Sequence, residues 1–476
     1  MTRGRPNLIV LLSDDQGPWA LGAAGNAEIS TPHLDALAAR GSRLDRFFCA
    51  SPVCSPARAS LMTGRIPSAH GVHDWLAAGH SGRDGHDHLA GQPLFTDAFA
   101  AAGWRVGLSG KWHLGASDQP RHGFDHWFAL DAGGTPYDGA TFHRHTSEGV
   151  VTEHLEGYVT DTIAADAIDL LEQRAAQDEP FVSLINFTAP HSPWTGQHPA
   201  EFTAPYEECR FDSCPDEPLH PWTALSNGVP VGAEPDRHQA RVGYFAAVTA
   251  MDAAIGRILD RVESLGLADS TMIIFSSDNG FNLGHHGVWG KGNGTWPLNM
   301  YDSSVMVPFL AAGPDIAQGV RHELTSALGV AATVLELCGL DPAPFEEGPG
   351  RSFAPVLSGG QPASTGPVVV HDEYGGTRMM RTEQWKLVVR HQGPGELYDL
   401  NADPDERHNL IDEPQHADRV HELHSALITW FDTHADPRRD GFTLPVSGSG
   451  QLGPTSFAPG QWDATVGQSP PNRYEA

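Results

Sequence analysis

SPVCSPARASLMTGR, residues 51–65, places a cysteine beside Ser55-Pro56 and four residues before Arg58. Proline in the first turn and Gly64 just past the end frame a helix over the intervening residues. Cys54 therefore falls at a helix N-terminus, where unpaired N–H groups and the helix dipole favour an anion. Three uses of a cysteine at that position do not fit. A cysteine-type phosphatase needs Cys-x5-Arg, and the spacing here is Cys-x3-Arg. A redox thiol pairs as Cys-x-x-Cys, which is absent. A thiolate is also too soft a partner for a hard divalent ion.

The surrounding chain supplies the frame for this helix. Apolar β-prone runs alternate with helical patterns over the first 340 residues or so, the signature of an α/β domain. Asn7–Ser13, Arg105–Ser109, Phe181–Phe187 and Thr271–Ser277 are continuous apolar runs, as expected of strands buried on both faces. Helices are expected from Pro32 to Gly41, from Tyr158 to Gln177 and from Gln239 to Leu265, the last carrying apolar residues every three or four positions. Each strand runs into chemistry-bearing residues: Asp14-Asp15, Lys111-Trp112-His113, Pro190-His191 and Asp278-Asn279. Ligand sites of open α/β sheets lie outside the carboxyl ends of the strands, so these four ends are expected to converge. Asp14, Asp15, Asp278 and Asn279 form an oxygen-only ligand set that suits Ca²⁺ or Mg²⁺. Lys111, His113 and His191, with Lys291 in a glycine-rich turn, suit an anionic substrate beside that cation.

Composition narrows the partners. Thirty Lys and Arg against 59 Asp and Glu give a formal charge of −29. Such a surface repels nucleic acid and anionic membranes, so neither is an expected partner. An anionic substrate must then be held by a few focused cations in a cleft. The five cysteines, an odd count, do not read as a disulfide framework. Cys49/Cys54 and Cys209/Cys214 lack zinc-finger-like histidines, and Cys49 reads as a buried thiol. No run of spanning length is apparent, and the N-terminus turns acidic too soon for a signal peptide, so a cytoplasmic location is expected.

Cys54-Ser55-Pro56-Ala57-Arg58 matches the Cys-x-Pro-x-Arg signature of type I sulfatases, and Leu61-Met62-Thr63-Gly64-Arg65 resembles its second half. Gly107–Gly115, with Lys111-Trp112-His113, resembles the second signature of that family. Asp14-Asp15, Ala189-Pro190-His191, Ser277-Asp278-Asn279-Gly280, Lys291 and Glu396–Leu400 follow in the family's order, so the resemblance covers about residues 5–412. It implies an α/β fold of the alkaline phosphatase-like superfamily: a large, mostly parallel central sheet flanked by helices, with a smaller C-terminal α+β subdomain. It further implies that Cys54 is converted to formylglycine by a formylglycine-generating enzyme. Asp14, Asp15, residue 54, Asp278 and Asn279 would hold Ca²⁺, with Mg²⁺ as the alternative. Arg58 would steady the hydrated aldehyde, and Lys111 and Lys291 would hold sulfate oxygens. His191 would protonate the leaving alcohol, and His113 would take the proton that releases sulfate. A phosphonate or phosphate diester hydrolase and an aryl or alkyl sulfatase are the alternatives in the same superfamily. Gly284-His285-His286-Gly287 departs from the pattern of many members, which carry an acidic residue before the histidine, and is expected to fill a loop.

A catalytic domain over 1–362, a subdomain over 363–440 and an extended tail over 441–476 are expected from the Ser358–Pro367 linker pattern and the Gly/Pro/Ser-rich end. The subdomain should hold short strands at Val368–His371, Thr377–Thr382 and Trp385–Arg390, then a helix over Gln415–His434. Gly79–Gly91, rich in His and Gly, reads as a mobile loop. His73-Asp74-Trp75, Tyr137-Asp138, Trp194, Asn293 and Trp296 lie on loops beside the catalytic set. Polar groups and flat aromatic faces are what a sugar needs, so exo-type desulfation of a mono- or oligosaccharide is expected. A homo-oligomer is left open.

Overall fold

The computed structural model describes residues 5–443, except 78, 84, 224, 227, 228, 231, 362–365 and 373–375, together with 450 and 451. The linker expected at 362/363 and most of the tail from 441 to 476 thus lie outside the described residues.

Every residue of strand Asn7–Ser13 is buried, because both faces of the strand are covered. Leu8, Val10 and Leu12 pack in one apolar cluster with Phe95, Phe99, Val330 and Val334. Ile9 and Leu11 point the other way, onto Leu34, Leu37, Ile163, Met251 and Ile255. The first group includes helices Phe95–Ala101 and Val330–Leu337, and the second Pro32–Arg40, Val159–Ala175 and Arg237–Ser264. The result is a sheet between two helical layers, the arrangement that continuous apolar strands require.

The sheet has ten strands, in the order Gly319–Arg321, Ser42–Leu44, Phe309–Ala312, Thr271–Ser277, Asn7–Ser13, Phe181–Asn186, Arg105–Lys111, His126–Leu130, Asp138–Thr146 and Gly149–Tyr158. Five consecutive strands, from Thr271–Ser277 to His126–Leu130, run parallel. Their carboxyl ends therefore share one edge. The mostly parallel sheet is as expected, with antiparallel additions at both sides.

Helix Arg237–Ser264 corrects one expectation: by length and composition it is apolar enough to cross a bilayer. Its apolar window is 78% buried within the protein, packed on the central sheet. After the sheet, Val368–Asp372, Thr377–Arg381, Trp385–Arg390 and Glu396–Asp399 form a four-stranded antiparallel sheet. Val369, Met380, Leu387 and Leu397 bury one face against Leu423, Leu427 and Phe431 of helix Ala417–His434. This is the smaller C-terminal subdomain.

Candidate active site

The parallel register brings the predicted strand ends side by side. Ser13 is level with Ser277, and Asn186 is level with both Leu12 and Gly110. The Asp14 N–H donates to Ala189 O at 3.0 Å and the Asp278 N–H to Ser13 O at 3.2 Å, which joins three of the ends directly. Helix Cys54–Thr63 lays its first turn over this edge, with every residue of the helix buried. Cys54 Sγ lies 3.4 Å from Asp14 Oδ1 and 3.9 Å from Asp15 Oδ1. Lys291 Nζ donates to Cys54 Sγ at 2.7 Å and to Asp15 Oδ1 at 2.6 Å. Lys111 Nζ bonds Asp14 Oδ2, with both side chains fully buried. Arg58 Nε donates to Asp278 Oδ2 at 2.9 Å, and its Nη2 lies 3.5 Å from Asp14 Oδ2.

Three carboxylates and three cations thus meet in one buried cluster, and the pairing sets their ionisation. Burial is the largest influence on Asp14 and would raise it, yet Lys111, His191 and Arg58 together hold the carboxyl below its ordinary range. Asp15 is likewise lowered, Lys291 and His191 outweighing burial. Cys54 goes the other way. Burial, then Asp14, pushes its thiol far above the ordinary value despite Lys291 and Lys111. The thiol stays protonated, so Cys54 is no thiolate nucleophile.

The histidines flank the cluster. His191 Nδ1 lies 2.7 Å from Ser192 O, an acceptor only, so Nδ1 carries the proton and Nε2 faces Asp15 Oδ2 at 3.7 Å. Tyr137 Oη donates to His191 O at 2.8 Å and fixes the backbone there. His113 Nε2 lies 3.3 Å from Leu76 O, while Nδ1 has no hydrogen-bond partner among the described residues. Burial, with Lys111 and Arg58 nearby, holds the His113 imidazole far below its ordinary value, so it is neutral. Gly133 passes so close that a Cβ there would meet His113 Nε2 at 2.2 Å.

Possible ligands for a hard cation surround Cys54. Ligand atoms of Asp14, Asp15, Cys54 and His191 lie within 4.8 Å of one another. Asn279 Nδ2 donates to Asp15 Oδ1 at 2.8 Å, and its buried Oδ1 has no hydrogen-bond partner among the described residues. An unmatched carbonyl oxygen beside two ionised carboxylates suits a hard divalent cation. Asp278 joins the same cluster: its Oδ1 accepts the N–H groups of Asp15 and Asn279, and its Oδ2 accepts from Arg58.

Above the cluster opens a cavity of about 470 Å³, lined among others by Cys54, His113, His191, Lys291, Trp75, Asp131 and Asn293. Of the residues expected to touch the substrate, Trp75 and Asn293 reach this lining. His73 and Asp74 are fully buried beside it. Trp194 is also buried, edge-on to Tyr244 and Phe281, with Nε1 donating to Pro190 O at 2.7 Å. It packs the His191 loop. Asp138 is exposed at the start of an outer strand, and neither it nor Trp296 lines the cavity. His285 and His286 fill a loop as expected, the first ring against Trp19 and the second stacked on Tyr301 at 3.8 Å. In Gly79–Gly91, Gly82 pairs with Ala116, which lays that segment along the Lys111-Trp112-His113 loop.

Asp131 was missed. It follows strand His126–Leu130, the fifth parallel strand end, and its Oδ1 lies 2.7 Å from His143 Nε2. The run Trp127-Phe128-Ala129-Leu130 before an aspartate repeats the pattern of the Asp14 and Asp278 strand ends, and was the available signal.

The Sulfatase family model matches residues 6–340. The chain belongs to the sulfatase family. As a sulfatase it is a sulfuric ester hydrolase. A second model, described as N-sulphoglucosamine sulphohydrolase, C-terminal, matches residues 284–432 of the sulfatase. The choline-sulfatase of Rhizobium meliloti is 29% identical over 454 residues, covering 87% of this chain and 84% of that protein. The ulvan-active sulfatase of Formosa agariphila is 28% identical, covering 89% and 80%. The human N-acetylgalactosamine-6-sulfatase is 28% identical, covering 75% and 66%. Among solved structures, one in complex with its substrate D-glucosamine-2-N,6-O-disulfate superposes with a TM-score of 0.76 at 24% identity, covering 92% of this sulfatase and 99% of that chain. The phosphonate monoester hydrolase of Agrobacterium radiobacter gives 0.68 at 21% identity, covering 91% and 96%. At those identities the likeness concerns the fold.

Proposed function

We propose that this sulfatase removes sulfate from a mono- or oligosaccharide in exo fashion, with residue 54 converted to formylglycine and a Ca²⁺ or Mg²⁺ ion held by Asp14, Asp15, residue 54, Asp278 and Asn279. The observation that carries the reading is the buried Cys54 set between the Asp14 and Asp15 carboxylates and under Lys291. A thiol so placed is a poor nucleophile, whereas oxygen in its place suits the hard surroundings. When present, the modified residue 54 would supply a hydroxyl, and the bound divalent cation would lower that hydroxyl's pKa and neutralise sulfate charge.

The chain's own groups do the rest. Lys111 and Lys291 enter from opposite carboxylates and hold sulfate oxygens, while Arg58 anchors Asp278 and Asp14. His191 keeps Nδ1–H on Ser192 O, so Nε2 is the atom that carries a proton to the leaving alcohol. His113 donates Nε2–H to Leu76 O, leaving Nδ1 to accept the proton whose loss releases sulfate. Trp75, Asp131 and Asn293 offer the alcohol a flat apolar face and hydrogen-bonding groups, the two needs of a sugar ring.

Two relatives named for carbohydrate substrates support the sugar, and the choline-sulfatase relative supports a second reading. Trp75 with Asp131 would also suit a quaternary ammonium group. Initial rates on a sulfated monosaccharide, a short sulfated oligosaccharide, an intact sulfated polysaccharide, choline sulfate, an aryl sulfate and an aryl phosphonate separate these readings. The monosaccharide or oligosaccharide should be preferred. Efficient turnover of choline sulfate alone, of intact polymer over fragments, or of phosphonate over sulfate would overturn the proposal. The mass of the peptide spanning residue 54 tests the maturation step, since oxidation of thiol to aldehyde lowers it.

A further inference from the structure

The loop that carries Trp75 to the cavity is held from the far end of the chain. Gln451 N donates to Trp75 O at 2.8 Å, and Gln451 O accepts from Ala77 N at 3.1 Å. The side chain spans the same loop: Oε1 accepts from His73 N at 2.8 Å and Nε2 donates to Gly71 O at 3.0 Å. Gln451 is fully buried and forms a parallel bridge with Leu76. Gly450 fits closely over Trp75. Its φ is +76°, and a Cβ there would meet the indole Cε2 at 2.9 Å. Loop 71–77 has no strand or helix of its own beyond His70, so its backbone takes these bonds from Gln451.

We propose that Gln451 is a positioning residue for substrate selection: Gly450 and Gln451 act as a strap that sets Trp75 as one wall of the cavity. The strap adds no group to the sulfate-binding cluster. It determines how well the alcohol portion of the ester is held, and so which alcohols are accepted. This deepens the reading of the cavity as the site of the leaving alcohol and rests on it.

The test uses the full-length matured enzyme with Gln451→Ala, Trp75→Ala and the double variant, assayed on the preferred sulfated saccharide, with inorganic sulfate as a competitive inhibitor of the charged cluster alone. Gln451→Ala should raise KM for the saccharide by about tenfold, in the range seen when a positioned contact is loosened, and leave the sulfate inhibition constant within about twofold. Because Gln451 acts through Trp75, the double variant should be no worse than Trp75→Ala; contacting residues are non-additive in this way. Gln451→Met, which keeps the side chain's bulk and loses its hydrogen bonds, should resemble Gln451→Ala if those bonds matter. A chain ending at residue 449 should be at least as impaired in KM. If Trp75→Ala raises KM and Gln451→Ala does not, the strap is wrong while the cavity reading stands. If Trp75→Ala leaves KM unchanged, the cavity reading fails, and the strap with it. Two further outcomes overturn the strap. One is a weakened sulfate inhibition constant, which would mean general disruption. The other is a fall in kcat alone, which would trace the effect to the Leu76–His113 contact.

Discussion

The floor of the cavity and its mouth are built by different rules. The floor is made at the ends of parallel strands, where register places Asp14, His191, Lys111 and Asp278 on one edge, and a buried helix adds residue 54. Each group there is locked by an opposite charge: Lys111 on Asp14, Lys291 on Asp15 and Arg58 on Asp278. The mouth is made of loops. Trp75 is held by Gln451, and Asp131 by His143. The difference teaches that the charged cluster depends on the register of the sheet, whereas the groups above it depend on how loops are held.

Removing the nucleophile should have the largest effect. Cys54→Ala should fold with an unchanged thermal midpoint but lose about 10⁴-fold or more in kcat, the scale seen when a catalytic nucleophile is removed. Retention of more than a few per cent of activity would remove residue 54 from the floor. Next is the cation. Strong chelation should abolish turnover, with Ca²⁺ or Mg²⁺ restoring it and Zn²⁺ failing to, because the donors are oxygens. Full activity after chelation would leave the Asn279 Oδ1 position unexplained.

Lys291→Ala should cost about 10²–10³ in kcat, the scale of one lost oxyanion contact, with a smaller change in KM. A pure KM effect would move Lys291 from floor to mouth. The smallest effect is expected at the mouth itself. Asp131→Asn should change KM for the saccharide by roughly 10-fold or less, the range of a modest pocket contact, with kcat unchanged. A large fall in kcat would show that the two regions are not separable in function.

What was legible in the sequence follows the same division. Strand Asn7–Ser13 and strand Thr271–Ser277 were readable to the residue, because a strand buried on both faces leaves an unbroken apolar run. The hairpin Asp138–Thr146 and Gly149–Tyr158 was not, since its outer strand alternates half-buried and exposed residues without a sustained apolar face. With strand His126–Leu130 also unread, Asp131 went unnoticed. Trp194 shows the opposite error. Its position after His191 suggested a sugar platform, but the ring fills a pocket between Tyr244 and Phe281 that exists only once helix Arg237–Ser264 is docked.

By itself, the sequence determined the fold class, the family and the composition of the charged floor. Those depend on local apolar runs and on short motifs whose spacing survives without knowledge of distant partners. Only the tertiary structure decided which loop residues face the cavity. It turned Trp75 towards the cavity and Trp194 away from it, buried His73 and Asp74, and brought Gln451 back across the molecule to Gly71 and His73. The physical reason is that a loop lacks the repeating backbone ladder of a helix or strand, so its N–H and C=O groups bond to whatever the fold brings near. Its course is set by whatever satisfies those groups, and here that partner lies more than 370 residues away in the chain.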